Sequence, residues 1–159
     1  MTLPAVLILS SKEDPLEDLT PPLEQMGLDV WHQPLTAWEG LPREYSRPDL
    51  LVVQLEAEFL TALYPLIQDC RDLGLPCLLV LDPKALEHLD ESVGINDFVL
   101  TPIRALELMT RARRLLRAHK RSTSRSRIRI GELTIDPERY EVTLGNCRVP
   151  LTFKEYQLL

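Results

Sequence analysis

The chain has 159 residues, of which 45% are hydrophobic and 26% are charged, and its formal net charge is −6. This length suits one domain and part of a second, and no apolar run reaches the about 20 residues that a membrane-spanning helix needs. Residues 1–4 lack the basic start of a secretory signal peptide. Composition therefore favours a cytoplasmic protein with no membrane partner.

Charge is distributed unevenly along the sequence. Residues 1–103 carry 5 lysines and arginines against 18 acidic residues, whereas residues 104–129 carry 10 against 1. An acidic body followed by a basic segment indicates two modules with different roles. Two interpretations of the basic segment stay open: a solvated helix face with a linker, or a segment that attracts nucleic-acid phosphates.

Short apolar runs alternate with helix-like segments over residues 1–119. The predicted strands are 6–9, 28–31, 50–55, 77–81 and 97–100. The predicted helices run from a cap at Asp14 to Met26 with an interruption at Pro21-Pro22, then over 38–45 (helix or loop), 59–73, 83–93 and 104–119. This alternation predicts an α/β unit with a parallel sheet, the flavodoxin-like (βα)₅ fold. Sites in such folds lie at the carboxyl ends of the strands.

The third predicted strand is the most informative segment. Residues 47–55, RPDLLVVQL, resemble the third strand of bacterial response-regulator receiver domains, in which Pro-Asp-Leu and a hydrophobic pair precede the phosphoaccepting aspartate. Gln54 stands at that position here. A neutral amide does not attack a phosphoryl donor as a carboxylate does, so the resemblance implies a degenerate phosphoacceptor position.

The same resemblance implies four further changed positions. Ser10 and Ser11 stand where two acidic residues would help to hold Mg²⁺. Leu81 replaces a threonine or serine, and Thr101 replaces a lysine, that would contact the phosphoryl group. Hydroxyl and amide groups are poor substitutes for the charged oxygens that Mg²⁺ prefers. We therefore expect no phosphoryl transfer, no Mg²⁺ binding and no other cofactor.

Other chemistry finds little support in the sequence. Phe98 matches an aromatic position that changes rotamer in receivers, and we expect it to stay fixed because Leu81 offers no hydroxyl. The loop at residues 10–14 has no glycine for phosphate binding, so an enzyme is not expected. Cys70, Cys77 and Cys147 match no metal-ligand spacing and are expected to be buried, reduced thiols.

The resemblance also implies a homodimer interface. Relatives usually dimerise through the helix after the fourth strand, the fifth strand and the last helix, and Asp97, Glu107 and Arg111 match positions that pair there. Glu87 falls where a basic residue usually faces the position of Glu107, and two carboxylates would repel each other. We keep the dimer as an expectation, with Asp97 and Arg111 as its remaining pair.

The second module begins after a basic linker, residues 120–127. Alternating apolar residues over 128–151, with turn residues at Gly131 and Gly145, predict a small antiparallel sheet. Thr152 and Glu155 have the spacing of a capping box that opens a helix. This segment resembles the start of the OmpR/PhoB-type winged-helix DNA-binding domain. The residues that carry the resemblance are Ile130-Gly131-Glu132-Leu133, Ile135-Asp136, Arg139, Val142, Gly145, Val149-Pro150-Leu151-Thr152, Glu155 and Leu158-Leu159.

Together these resemblances imply a receiver-like domain (1–119), the linker, and the N-terminal part of a winged-helix effector domain (128–159). The expected function is an atypical, phosphorylation-independent response regulator that controls transcription by binding DNA through the complete effector domain, because 128–159 contains no recognition helix. A regulatory protein or a small ligand would be a further partner. The alternative is a protein-interaction adaptor without DNA binding, if the chain naturally ends at Leu159.

Overall fold

Five parallel strands form the first sheet in a computed structural model of the chain, which describes residues 3–11, 16–38, 47–126, 128–136, 141–145, 147–151 and 155. The strands are β1 (Ala5–Ser10), β2 (Asp29–Pro34), β3 (Leu50–Leu55), β4 (Cys77–Leu81) and β5 (Asp97–Leu100). Their order across the sheet is β2-β1-β3-β4-β5. Three strands have the predicted bounds, and the parallel sheet with its flanking helices confirms the flavodoxin-like fold.

The helices are α1 (Leu16–Gln25), α2 (Leu60–Asp72), α3 (Pro83–Glu87) and α4 (Ala105–Ser126), with 3₁₀ turns at Leu35–Ala37, Ala57–Phe59 and Glu91–Val93. Because successive side chains of a strand point to opposite faces, the sheet packs two cores. One core joins α2 and α3 to residues such as Leu79, and the other joins α1 and α4 to residues such as Val80. Helices therefore pack on both faces of the sheet.

Helix α1 corrects the predicted interruption at Pro21-Pro22. Both prolines lie inside the helix, although each removes a backbone donor from its interior. Leu19 and Leu23, one turn apart, are fully buried against the sheet, so packing of this apolar face outweighs the lost hydrogen bonds. The predicted cap at Asp14 lies outside the described residues, as do residues 39–45 of the uncertain segment 38–45.

Two other helices differ from the predicted bounds by more than one residue at an end. Helix α3 ends at Glu87, and a separate 3₁₀ turn follows because the Asp90 carboxylate accepts a hydrogen bond from the Ser92 N–H at 2.8 Å. Helix α4 continues through Ser126, so residues 120–126 are helical where the sequence predicted a flexible linker. Contacts divide the chain into two compact units, 1–117 and 118–159.

The second unit contains the predicted antiparallel sheet. Its strands are β6 (Ile128–Ile130), β7 (Leu133–Asp136), β8 (Glu141–Leu144) and β9 (Cys147–Val149), hydrogen-bonded in that order. The register pairs Ile128 with Ile135, Leu133 with Leu144, and Val142 with Val149. One face of the sheet is therefore apolar. The capping-box residue Thr152 lies outside the described part of the chain.

The cysteines divide into two environments. Cys70 and Cys77 are buried as predicted, whereas Cys147 is exposed, which corrects the expectation for that residue. A hydrogen bond with the Cys70 thiol, together with burial, raises the pKa of the Cys77 thiol well above its ordinary value. The Cys77 thiol is therefore protonated at neutral pH. Within the described ranges, no helix has the length and apolar character that crossing a bilayer requires.

Candidate functional site

The five residues that the sequence analysis singled out lie together at one edge of the first sheet. Ser10 pairs with Gln54 across β1 and β3, and Leu81 ends β4 beside Leu55. Ser11 directly follows β1, and Thr101 directly follows β5. Because all five strands are parallel, their carboxyl ends meet at this edge, and the structure brings the five residues together there; their role as a site stays a prediction.

Two of these residues form a buried, neutral pair. Ser10 and Gln54 are 4% and 6% exposed. The Ser10 hydroxyl donates to the Gln54 side-chain oxygen at 3.3 Å. Buried polar groups are costly unless they are hydrogen-bonded, and this bond provides each of them with a partner inside the protein.

The neighbouring positions are fixed largely by main-chain hydrogen bonds. The Ser11 N–H donates to the Gln54 carbonyl at 3.0 Å, and the Ser11 hydroxyl accepts from the Glu56 N–H at 3.3 Å. The Thr101 N–H donates to the Leu81 carbonyl at 2.9 Å, and the Thr101–Pro102 peptide bond is cis. The Leu81 side chain is fully buried. The edge thus keeps a defined backbone geometry around side chains that carry no charge.

This arrangement limits the chemistry available at the edge. None of the five side chains is a carboxylate that could accept a phosphoryl group or an ammonium that could neutralise one. Within the described ranges, no cluster of three His, Cys, Asp or Glu residues has metal-binding geometry. Phe98 is half-buried on β5 and packs against the core that contains Leu81. Its fixed rotamer stays a prediction.

A second polar cluster joins β5 to α4. The Asp97 side chain is only 6% exposed, and its two oxygens meet Arg111 Nη1 at 2.7 Å and Arg114 Nη2 at 2.6 Å. Glu107 Oε1 lies 2.9 Å from Arg111 Nη2, and this hydrogen bond is the largest influence raising the pKa of Arg111 above its ordinary value. We call these four residues the Asp97 cluster.

The cluster unites the three residues expected at a dimer interface, but within one copy of the chain. The sequence reasoning did not single out Arg114 as the second partner of Asp97. Its signal was the i,i+3 spacing from Arg111, which places both guanidinium groups on one side of the helix. Glu87 is exposed at the end of α3.

An open pocket of about 530 Å³ lies along the same side of α4. It is lined by Arg104, Leu106, Glu107, Thr110, Arg111 and Arg114. Leu106 is the most exposed large apolar residue among those described, at 77%. A single exposed apolar side chain is common on protein surfaces, so it is the position of Leu106 beside this pocket that makes the side of α4 a candidate contact surface.

Comparisons with known proteins agree with this fold. No protein-family model matches the chain. The chain is 31% identical to the probable transcriptional regulatory protein SilR of Salmonella typhimurium over 88 residues, which are 54% of this chain and 39% of that protein. It is 27% identical to the heme response regulator HssR of Staphylococcus aureus over 139 residues, 86% of this chain and 62% of that protein.

A CheY-like response regulator from Mesorhizobium loti has a similar structure, with a TM-score of 0.57 and 17% identity over 72% of this chain and 99% of that one. At this identity the likeness shows the fold alone. The chain spans about two fifths of the length of SilR and about three fifths of that of HssR. Its curated relatives are transcriptional regulatory proteins and response regulators, and its first unit has the fold of the solved CheY-like response regulator.

Proposed function

We propose that the protein is an atypical response regulator of the OmpR/PhoB type, which acts in the cytoplasm as a DNA-binding transcription regulator and does not depend on phosphorylation. The observation that carries this proposal is a set of five uncharged side chains at the carboxyl ends of the strands of the first sheet. Five positions that would perform phosphoryl transfer lie together with no carboxylate or ammonium among them, and Ser10 and Gln54 are hydrogen-bonded to each other. The names of the relatives support transcription regulation.

Incubation with a small phosphodonor and Mg²⁺ tests the phosphate-independent part. We expect intact-mass spectrometry to detect no acyl phosphate, because the amide of Gln54 cannot form one. A response regulator with an acidic site, treated in parallel, shows that the donor and the detection work. Mg²⁺-dependent gain of one phosphoryl group would contradict the proposal.

Promoter mapping tests the DNA-binding part. The product of the complete natural gene should enrich a small set of promoter fragments from its own genome, and a competitor DNA of unrelated sequence should not displace it at equal concentration. Failure to select any fragment would favour the protein-interaction adaptor. That alternative has one observation in its favour, the exposed Leu106 beside the α4 pocket.

We also propose that the face of α3, β5 and α4 forms a homodimer. Its support is the pocket with the exposed Leu106, while Asp97, Glu107 and Arg111 already interact within one copy. Sedimentation velocity over a range of concentrations measures the fraction of dimer. The Leu106→Glu variant should have a smaller dimer fraction than the parent at each concentration. Tyr64→Glu, at another exposed apolar residue on α2, is the matched control. If the parent protein stays monomeric at high concentration, the homodimer proposal is wrong.

A further inference from the structure

Exposed arginines on the outer side of α4 form a surface that the proposed function does not use. The side of α4 that faces the sheet is apolar, with Leu108, Ala112, Leu115 and Leu116 buried. Arg113 and Arg117 are exposed and lie one turn apart. Side chains at i and i+4 are neighbours on a helix surface, so the two guanidinium groups share one solvent-facing patch, here named the outer arginine pair.

The outer arginine pair differs from the arginines of the Asp97 cluster. Arg111 and Arg114 are bound to Asp97, whereas no salt bridge between described residues involves Arg113 or Arg117. A partner would therefore gain two cations without breaking an ion pair. Exposed guanidinium groups bind phosphate bidentately, so an anionic polymer with regularly spaced phosphates fits this patch better than a single small anion does.

Charge segregation points in the same direction. Residues 1–103 carry 18 acidic residues against 5 basic ones, whereas residues 104–129 carry 10 basic residues and 1 acidic residue. Most of the first unit therefore repels a polyanion, while α4 attracts one. Such an asymmetric field orients a protein on its partner as well as binding it.

We propose that Arg113 and Arg117 contact the phosphate backbone of duplex DNA, so that the receiver-like unit makes a DNA contact of its own in addition to the effector domain. The inference rests on the proposed function, because DNA is its partner. Contacts of this kind fix position and contribute affinity but carry no base information. They add to the salt dependence of binding, because each one releases a condensed counterion.

Fluorescence anisotropy with a short duplex of arbitrary sequence tests the contact, using residues 1–159 between about 50 and 200 mM NaCl. The slope of log affinity against log salt concentration is negative. Arg113→Gln and Arg117→Gln should each make it less negative by about 0.9, and the double variant should make it less negative by about 1.8. Lys84→Gln, which removes one exposed charge from α3, is the matched control and should keep the parent slope. Circular dichroism should show all the variants folded, since these side chains are exposed.

Several outcomes would overturn the contact. These are no binding of the duplex by the parent, or slopes of the arginine variants equal to that of Lys84→Gln. Unchanged DNA binding with weakened self-association in the double variant would assign the pair instead to an acidic surface of a second copy. Failure of the proposed function gives a different result. In that case the complete gene product selects no promoter fragment, while the arginine variants still weaken the salt dependence of DNA binding.

Discussion

Replacing Gln54 with aspartate is expected to lower the free energy of unfolding by about 3 kcal/mol at pH 7 and not to produce a phosphorylated protein. The new carboxylate would lie at a position that is 6% exposed, beside the Ser10 hydroxyl and without a cation on any of the neighbouring changed positions. Burial raises the pKa of such a carboxyl group, and about two units correspond to the stated loss. We expect no phosphorylation, because Ser10, Ser11 and Thr101 would still stand where the resemblance implies an acidic pair and a lysine.

The pH dependence of this loss follows from the sign of the shift. Below the pKa of an unfolded aspartate, about 3.9, the carboxyl is protonated in both states and the loss is small. It grows as pH rises toward the higher pKa of the folded state and is constant above it. Urea unfolding at several pH values measures this. Gln54→Leu, which introduces no charge, should cost about 1 kcal/mol at every pH. A loss for Gln54→Asp that does not change with pH would contradict the explanation.

Changing Asp97 to asparagine is expected to lower the free energy of unfolding by about 2 kcal/mol, because hydrogen bonds to charged groups contribute about 1.5–3 kcal/mol. Asp97 is buried and both its oxygens accept from guanidinium groups, at 2.7 and 2.6 Å. Asparagine has one acceptor oxygen, and its amide N–H would face an arginine. The change should therefore loosen the attachment of α4 to β5, and urea denaturation of the parent and the variant measures it.

Arg114→Gln is the control for the Asp97 prediction. The Arg114 side chain is 67% exposed, so its loss should cost less than about 1 kcal/mol. Combining the two changes should give a double-mutant coupling of about 0.5 kcal/mol or more, since the residues are in contact. A stability of Asp97→Asn close to that of the parent would mean that the cluster orients α4 without stabilising it.

The positions at the sheet edge could be predicted from the sequence because they depend on strand ends. The resemblance to receiver domains singled out Ser10, Gln54 and Leu81, and the apolar runs that end at or near them placed all three at the carboxyl ends of parallel strands, without knowledge of any side-chain contact. The second partner of Asp97 could not be predicted in this way. Arg114 is 17 residues away, and its rotamer depends on packing that no periodic pattern records.

The extents of α1 and α4 show two other reasons for error. Proline carries a strong local penalty in a helix, but in α1 the burial of Leu19 and Leu23 overrides it. In α4, the serine- and arginine-rich composition suggested a linker, yet residues 105–126 contain neither glycine nor proline. Arginine and lysine favour helix, so nothing in this segment ends the helix that Leu108 and Ala112 anchor.

The hydrogen bond between the uncharged side chains of Ser10 and Gln54 has a consequence for electrostatic repulsion at this edge of the sheet. Carboxylates crowded into one site repel each other, and a fold that contains them is frustrated until a cation or a proton relieves the repulsion. The five positions at this edge carry no such frustration. The hydrogen bond between Ser10 and Gln54 needs no cation to form, so we expect the conformation of these two side chains to be the same with and without divalent ions.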